Sequence, residues 1–154
     1  MTEALKEKIY QAQSEGDIAS LYVLEAQAHE TFDEDTLMAF YANILDLALE
    51  RMTNVLENLD KLDMNEVQDF ATLRALYEYA IEHYSAGSAT DASALFEVLG
   101  GISNDEAFSV AMSVHRAGCD AQIPFDDFID EYVDMVATQN GGKFYISTFK
   151  KSIN

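Results

Sequence analysis

A chain that carries 28 Asp and Glu against 9 Lys and Arg has to keep nearly all of that charge in water, because an unpaired buried charge is prohibitively costly. Its formal net charge is -19, yet 49% of its 154 residues are hydrophobic. Disordered acidic tails lack such apolar content. The chain is therefore expected to fold, with its apolar residues sorted onto inward faces and a strongly negative surface outside. The spacing says what those faces are. Apolar residues recur at steps of three and four, the period of an amphipathic helix. One proline and seven glycines leave few interruptions, and no persuasive β pattern competes. The expected fold class is all-α: a single-domain irregular helical bundle of about seven helices, with repeat-like helical hairpins among them. Residues 1–62 make N-terminal helices that include a long spine helix, 63–142 make C-terminal helices, and 143–154 form a tail.

Particular residues carry this expectation. Leu5, Ile9 and Ala12 mark a first helix, broken at Ser14-Glu15-Gly16. Asp17 is placed to cap a second, with Ile18, Leu21, Tyr22, Leu24 and Ala28 along it. Asp33-Glu34-Asp35 opens the longest helix, acidic groups opposing the positive end of its dipole. Its stripe runs from Leu37 through Tyr41, Ile44, Ala48, Met52 and Val55 to Leu59 and Leu62, about 26 residues or roughly 39 Å. The next helix takes Val67, Phe70, Arg74, Tyr77, Ile81 and Tyr84 and stops at Ser85-Ala86-Gly87. A shorter one with Ala92, Leu95, Phe96 and Leu99 is expected to end at Gly100-Gly101. Ser103 and Glu106 form a capping box for a helix that stops at Gly118. Pro124 opens a last helix, closed by Asn140-Gly141-Gly142. The tail from Phe144 to Phe149 reads as a short strand or a half-turn of helix.

Two stretches share this plan, Ser14-Glu15-Gly16 matching Ser85-Ala86-Gly87 and Leu24 matching Leu95. The second copy has Tyr84 in one helix, Gly87 in the turn, Ala92 entering the next helix and Phe96 one turn on. Residues 76–118 thereby resemble a tetratricopeptide-like helical hairpin, as found in the acidic chaperones of type III secretion. The resemblance departs from the repeat where Gly100-Gly101 stands in place of the closing proline. It implies a cytoplasmic helical protein that holds a protein partner in a groove.

Enzymatic chemistry finds no constellation here. There is no nucleophile elbow, phosphate loop or dinucleotide fingerprint, so no catalytic residue and no cofactor site is nominated. His29, His83 and His115 fall on three different helices, and none has the spacing of a metal pair. The segment from Arg116 to Asp127 has the outline of a calcium loop, but Arg116 and Gly118 stand where oxygen donors are needed. Asp126, Asp130 and Asp134 lie four apart and read as one acidic helix face, solvated rather than metal-binding. Cys119 reads as a small residue in a turn, and Asp120 beside it opposes a thiolate.

The remaining signal is aromatic. Eight Tyr and nine Phe serve first as core, and some of them suit an adaptable contact surface. Tyr77, Tyr79, Tyr84 and Phe96, with Asp126, Asp130 and Asp134, are the candidate partner-binding residues, and Tyr79 is the best placed for exposure. The function expected is that of a non-enzymatic acidic protein binding another protein with a basic surface, in a chaperone, adaptor or immunity-type role. A DNA-mimic inhibitor of a DNA-binding protein is the alternative, and a metal-dependent enzyme the remote one. The charge disfavours direct contact with nucleic acid or membrane. The long apolar stripe allows a homodimer. The absence of a basic, apolar leader or of a membrane span points to the cytoplasm.

Overall fold

The computed structural model describes residues 2–153. Among them are nine helices and no strand beyond two isolated bridges, so the all-α bundle is what the chain forms. The elements are α1 (Thr2–Glu15), α2 (Ile18–Val23), α3 (Glu25–Thr31), α4 (Glu34–Glu57), α5 (Val67–Ser85), α6 (Ala89–Ile102), α7 (Glu106–Asp120), α8 (Phe125–Tyr132) and α9 (Met135–Gly141). No helix among the described residues is long and apolar enough to cross a membrane.

Nine helices replace the expected seven because two segments break where spacing alone gives no warning. The second expected helix divides into α2 and α3 at Leu24, which is at once the C-cap of one and the N-cap of the other. The last expected helix divides into α8 and α9 at Val133, whose backbone is extended and bridges antiparallel to Phe149. Asp134 N–H donates to Thr148 C=O at 2.9 Å, and Lys150 N–H to Tyr132 C=O at 2.8 Å. The tail therefore sets the break. It is neither a helical half-turn nor a regular strand. Residues 143–153 run irregularly across the bundle, burying Tyr145, while Asn154 lies outside the described residues.

The centre of the molecule is α5. It packs against α2, α4, α6 and α8, and eight of its 19 residues are buried. The longest helix, α4, has 24 residues but fully buries only Phe40, Ile44 and Ala48. It is a flank rather than the expected spine, and it ends at Glu57. Leu59 takes a left-handed φ of 54° and stands exposed. Leu62, beyond the helix, is buried through a parallel bridge to Ser103.

Two glycine signals also mean something other than a stop. Gly100 and Gly101 lie inside α6, which continues to Ile102. The missing side chain at Gly100 lets α7 approach: a Cβ there would stand 3.5 Å from that of Met112. Gly118 lies inside α7, where a Cβ would meet the Phe128 ring and the Tyr84 hydroxyl at 2.9 Å. Both neighbours are fixed, since Phe128 is fully buried and Tyr84 donates to Ile123 C=O at 2.7 Å. Gly118→Ala is expected to cost about 1–3 kcal/mol by overpacking despite its better helix propensity, read as a lower denaturation midpoint. An unchanged or raised midpoint would contradict this packing. The helix really stops at Ala121, with Gln122 at φ 59°. The α7 start is likewise shifted: Asp105, not Ser103, caps it, accepting from Phe108 N–H at 2.8 Å.

Candidate groove between α4 and α5

Asp17 caps α2, accepting from Ser20 N–H, and Asp33 caps α4, accepting from Thr36 N–H. These caps set the phase of each helix, sending Ile18 and Leu21 of α2 and Phe40 and Ile44 of α4 into the core. One residue round the helix, Tyr22 and Tyr41 are left at the core edge. On α4, Met38, Tyr41, Ala42 and Leu45 form one i, i+3, i+4, i+7 stripe; on α5, Ala75, Glu78, Tyr79 and Glu82 repeat it. These eight residues, with Tyr22 and Ile44, line a single open groove of about 390 Å³. Ala42 and Ala75 are small enough to leave that space, and Met38 at its rim is 64% exposed.

The polar groups at one end of the groove are already paired. Tyr22 O–H donates to Glu78 at 2.8 Å, and Tyr41 O–H donates to Glu25. His29 Nε2 stands 2.6 Å from the Tyr41 hydroxyl; since that hydroxyl already donates to Glu25, the imidazole is the donor. The Arg74 guanidinium lies 3.9 Å over the Tyr22 ring, with Glu25 at 3.3 Å and Glu78 at 3.4 Å. Burial, then the Glu78 carboxylate, raises the Tyr22 hydroxyl above the usual tyrosine range. Burial and the hydrogen bond to Glu25 do the same for Tyr41. Both phenols stay protonated at neutral pH, so the groove offers aromatic faces and carboxylates, not phenolates.

The sequence-nominated contact residues separate into three places. Tyr79 is half-buried on the groove wall, its ring 4.6 Å from that of His83. Tyr77, Tyr84 and Phe96 are core, at 4%, 2% and 0% exposure, and cannot meet a partner without unfolding α5 and α6. Asp126 and Asp130 are exposed on α8, but Asp134 lies past the helix break and caps α9 by accepting from Ala137 N–H at 3.0 Å. The three do not form one face. No group of three or more His, Cys, Asp or Glu side chains able to hold a metal ion occurs among the described residues.

What buries Tyr77 is a polar chain through the core. His115 is fully buried on α7; its Nδ1 lies 2.7 Å from Ala111 C=O and its Nε2 2.8 Å from the Tyr77 hydroxyl. The geometry assigns the tautomer: Nδ1–H donates to the carbonyl, Tyr77 O–H donates to Nε2, and Ile146 N–H from the tail donates to the Tyr77 oxygen at 3.0 Å. Burial lowers the imidazole pKa to about 4, so the ring is neutral at pH 7. Cys119 is likewise interior, in the last turn of α7 rather than in a turn outside it. Burial, then Asp120, pushes its thiol up to about 12, which removes a nucleophilic thiolate.

Sequence reasoning missed Tyr22, Tyr41, Glu78 and Glu82 as groove residues. The signal was present in the matched stripes of α4 and α5, but only their pairing in space turns two stripes into one groove. The chain matches no protein-family model, no curated protein and no solved structure.

Proposed function

We propose that this is a non-enzymatic acidic helical protein that works by binding another protein with a basic surface, in a chaperone, adaptor or immunity-type role. The observation that carries the reading is the α4–α5 groove, where an apolar floor, tyrosine walls and carboxylates meet on a chain of net charge -19. Tyrosine and methionine are common on adaptable contact surfaces, and the carboxylates around them steer a cationic partner toward the groove. The α5–α6–α7 succession, which resembles tetratricopeptide-like hairpins, gives the groove a firm back. The lone cysteine, buried and protonated, suits a cytoplasmic setting.

The test is capture on the immobilised 154-residue chain, with a Glu78→Lys/Glu82→Lys double variant as its control. The wild type is expected to retain a partner rich in Lys and Arg in defined stoichiometry at ~150 mM salt and to release it by ~500 mM, as screening shortens the field. The double variant is expected to retain little of it. A wild type that holds nothing even at low salt, or a variant that holds the same partner equally well, overturns the reading. Release of the captured partner by duplex DNA would select the DNA-mimic form of this role.

A further inference from the structure

One cation is already seated beside the groove. The Arg74 guanidinium sits 3.9 Å over the Tyr22 ring, 3.3 Å from Glu25 and 3.4 Å from Glu78, an arrangement that suits a guanidinium, which can stack on an aromatic face and reach two carboxylates from different edges. The set is only half used. Further along the same α5 stripe stand Tyr79 and Glu82, which line the groove together with Tyr41 and Met38 of α4. Glu82 is exposed and makes no ion pair among the described residues, whereas Glu78 is engaged by both Tyr22 and Arg74. The outer half thus has aromatic walls, an apolar thioether rim and an uncompensated carboxylate. A second guanidinium would complete it in the manner of the first.

Resting on the reading above, we infer that the outer half of the α4–α5 groove takes an arginine side chain from the partner protein, its guanidinium against the Tyr79 and Tyr41 rings and paired with Glu82. Charge complementarity commits the site to a cation, and the flat aromatic walls distinguish arginine from lysine. A lysine ammonium is a compact, strongly hydrated charge that gains less from a stacked wall. An apolar occupant would bury the Glu82 carboxylate without a partner. Another copy of this chain would bring its own negative surface to a negative rim.

The experiment is calorimetric titration of the full chain with two acetylated, amidated helical peptides of Ala and Gln, one carrying three arginines and the other three lysines at the same positions. The arginine peptide is expected to bind about tenfold more tightly than the lysine peptide. Glu82→Gln and Tyr79→Leu are each expected to weaken the arginine peptide roughly five- to tenfold, and Asp126→Asn/Asp130→Asn on α8 to change it less than about twofold. Glu82→Gln is an isosteric change at an exposed position, so it keeps the test valid if Tyr79→Leu proves unstable by circular dichroism. Equal affinities for the two peptides, or equal weakening by the α8 variant, would show diffuse attraction to acidic surface. That result overturns the arginine site and leaves the broader protein-binding role standing. Failure of both peptides to bind at low salt also overturns the arginine site, and the protein-binding role is then decided by the capture test.

Discussion

Phe96→Ala is expected to lower the unfolding free energy by about 3–5 kcal/mol, the cost of removing a large buried aromatic from a close-packed core. Phe96 is fully buried on α6. Its ring centroid lies 4.9 Å from His115, 6.3 Å from Tyr77 and 6.4 Å from Tyr84, so its loss opens a cavity at the junction of α5, α6 and α7. Urea denaturation followed by circular dichroism reads the effect. A shift below about 1 kcal/mol would mean that this junction repacks freely and is not the well-ordered core described above. The same variant separates stability from binding. Where it remains folded, its affinity for a basic peptide should match that of the wild type, because Phe96 does not line the groove.

The second large effect is on acid stability, through His115. The folded ring titrates near pH 4 and the unfolded ring near 6.5. Above pH 6.5 both are neutral and the contribution to stability is complete. As pH falls from 6.5 towards 4, the unfolded chain takes up a proton that the folded chain refuses, so stability declines by up to about 1.4 kcal/mol per pH unit. The loss over the window is on the order of 3 kcal/mol. The aromatic rings packed against the imidazole are Tyr77, Phe96, Phe128 and Phe149, and none of them supplies a counter-charge. Asp17, Asp33 and Asp63, whose carboxyls are held below their usual value by hydrogen bonds, lose their contributions only at lower pH. The measurement is unfolding free energy of the wild type and of His115→Gln at several pH values between 4 and 7. The gap between them should narrow steadily as pH falls. A constant gap across that window would mean that the folded ring takes up its proton over the same pH range as the unfolded one.

How much of this was legible in the residues divides along local and non-local lines. Features set within a few residues could be read in advance: the caps at Asp17 and Asp33, the turn at Gly87, the helical course of α5. Features set by a partner far along the chain could not. The break at Val133 exists because Phe149 pairs with it, and nothing near Val133 announces that pairing. Gly100 and Gly118 look like helix stops to a local rule, since glycine is the usual terminator. They are instead places where another helix or ring comes close. Spacing puts Tyr77 and Tyr84 on the apolar line of α5 and Tyr79 off it, but it cannot say how completely that line is covered. Tyr77 and Tyr84 were candidates for contact alongside Tyr79, and only the crossing of α6 and α7 puts the first two inside. Arg74 shows the converse. It sits on the expected apolar line of α5, yet it turns to its edge to meet Glu25 and Tyr22. The groove was invisible for the same reason, since its two walls are separated by the whole segment from Leu45 to Ala75.

The two walls differ in how firmly they are rooted. Each wall packs against four helices, but α5 buries eight of its 19 residues whereas α4 fully buries three of its 24. Local opening draws on the least anchored parts of a fold. On the binding role proposed above, the cleft would act as a vice with one fixed jaw: the guest's position would be registered against α5, and its girth would be governed by how far α4 yields.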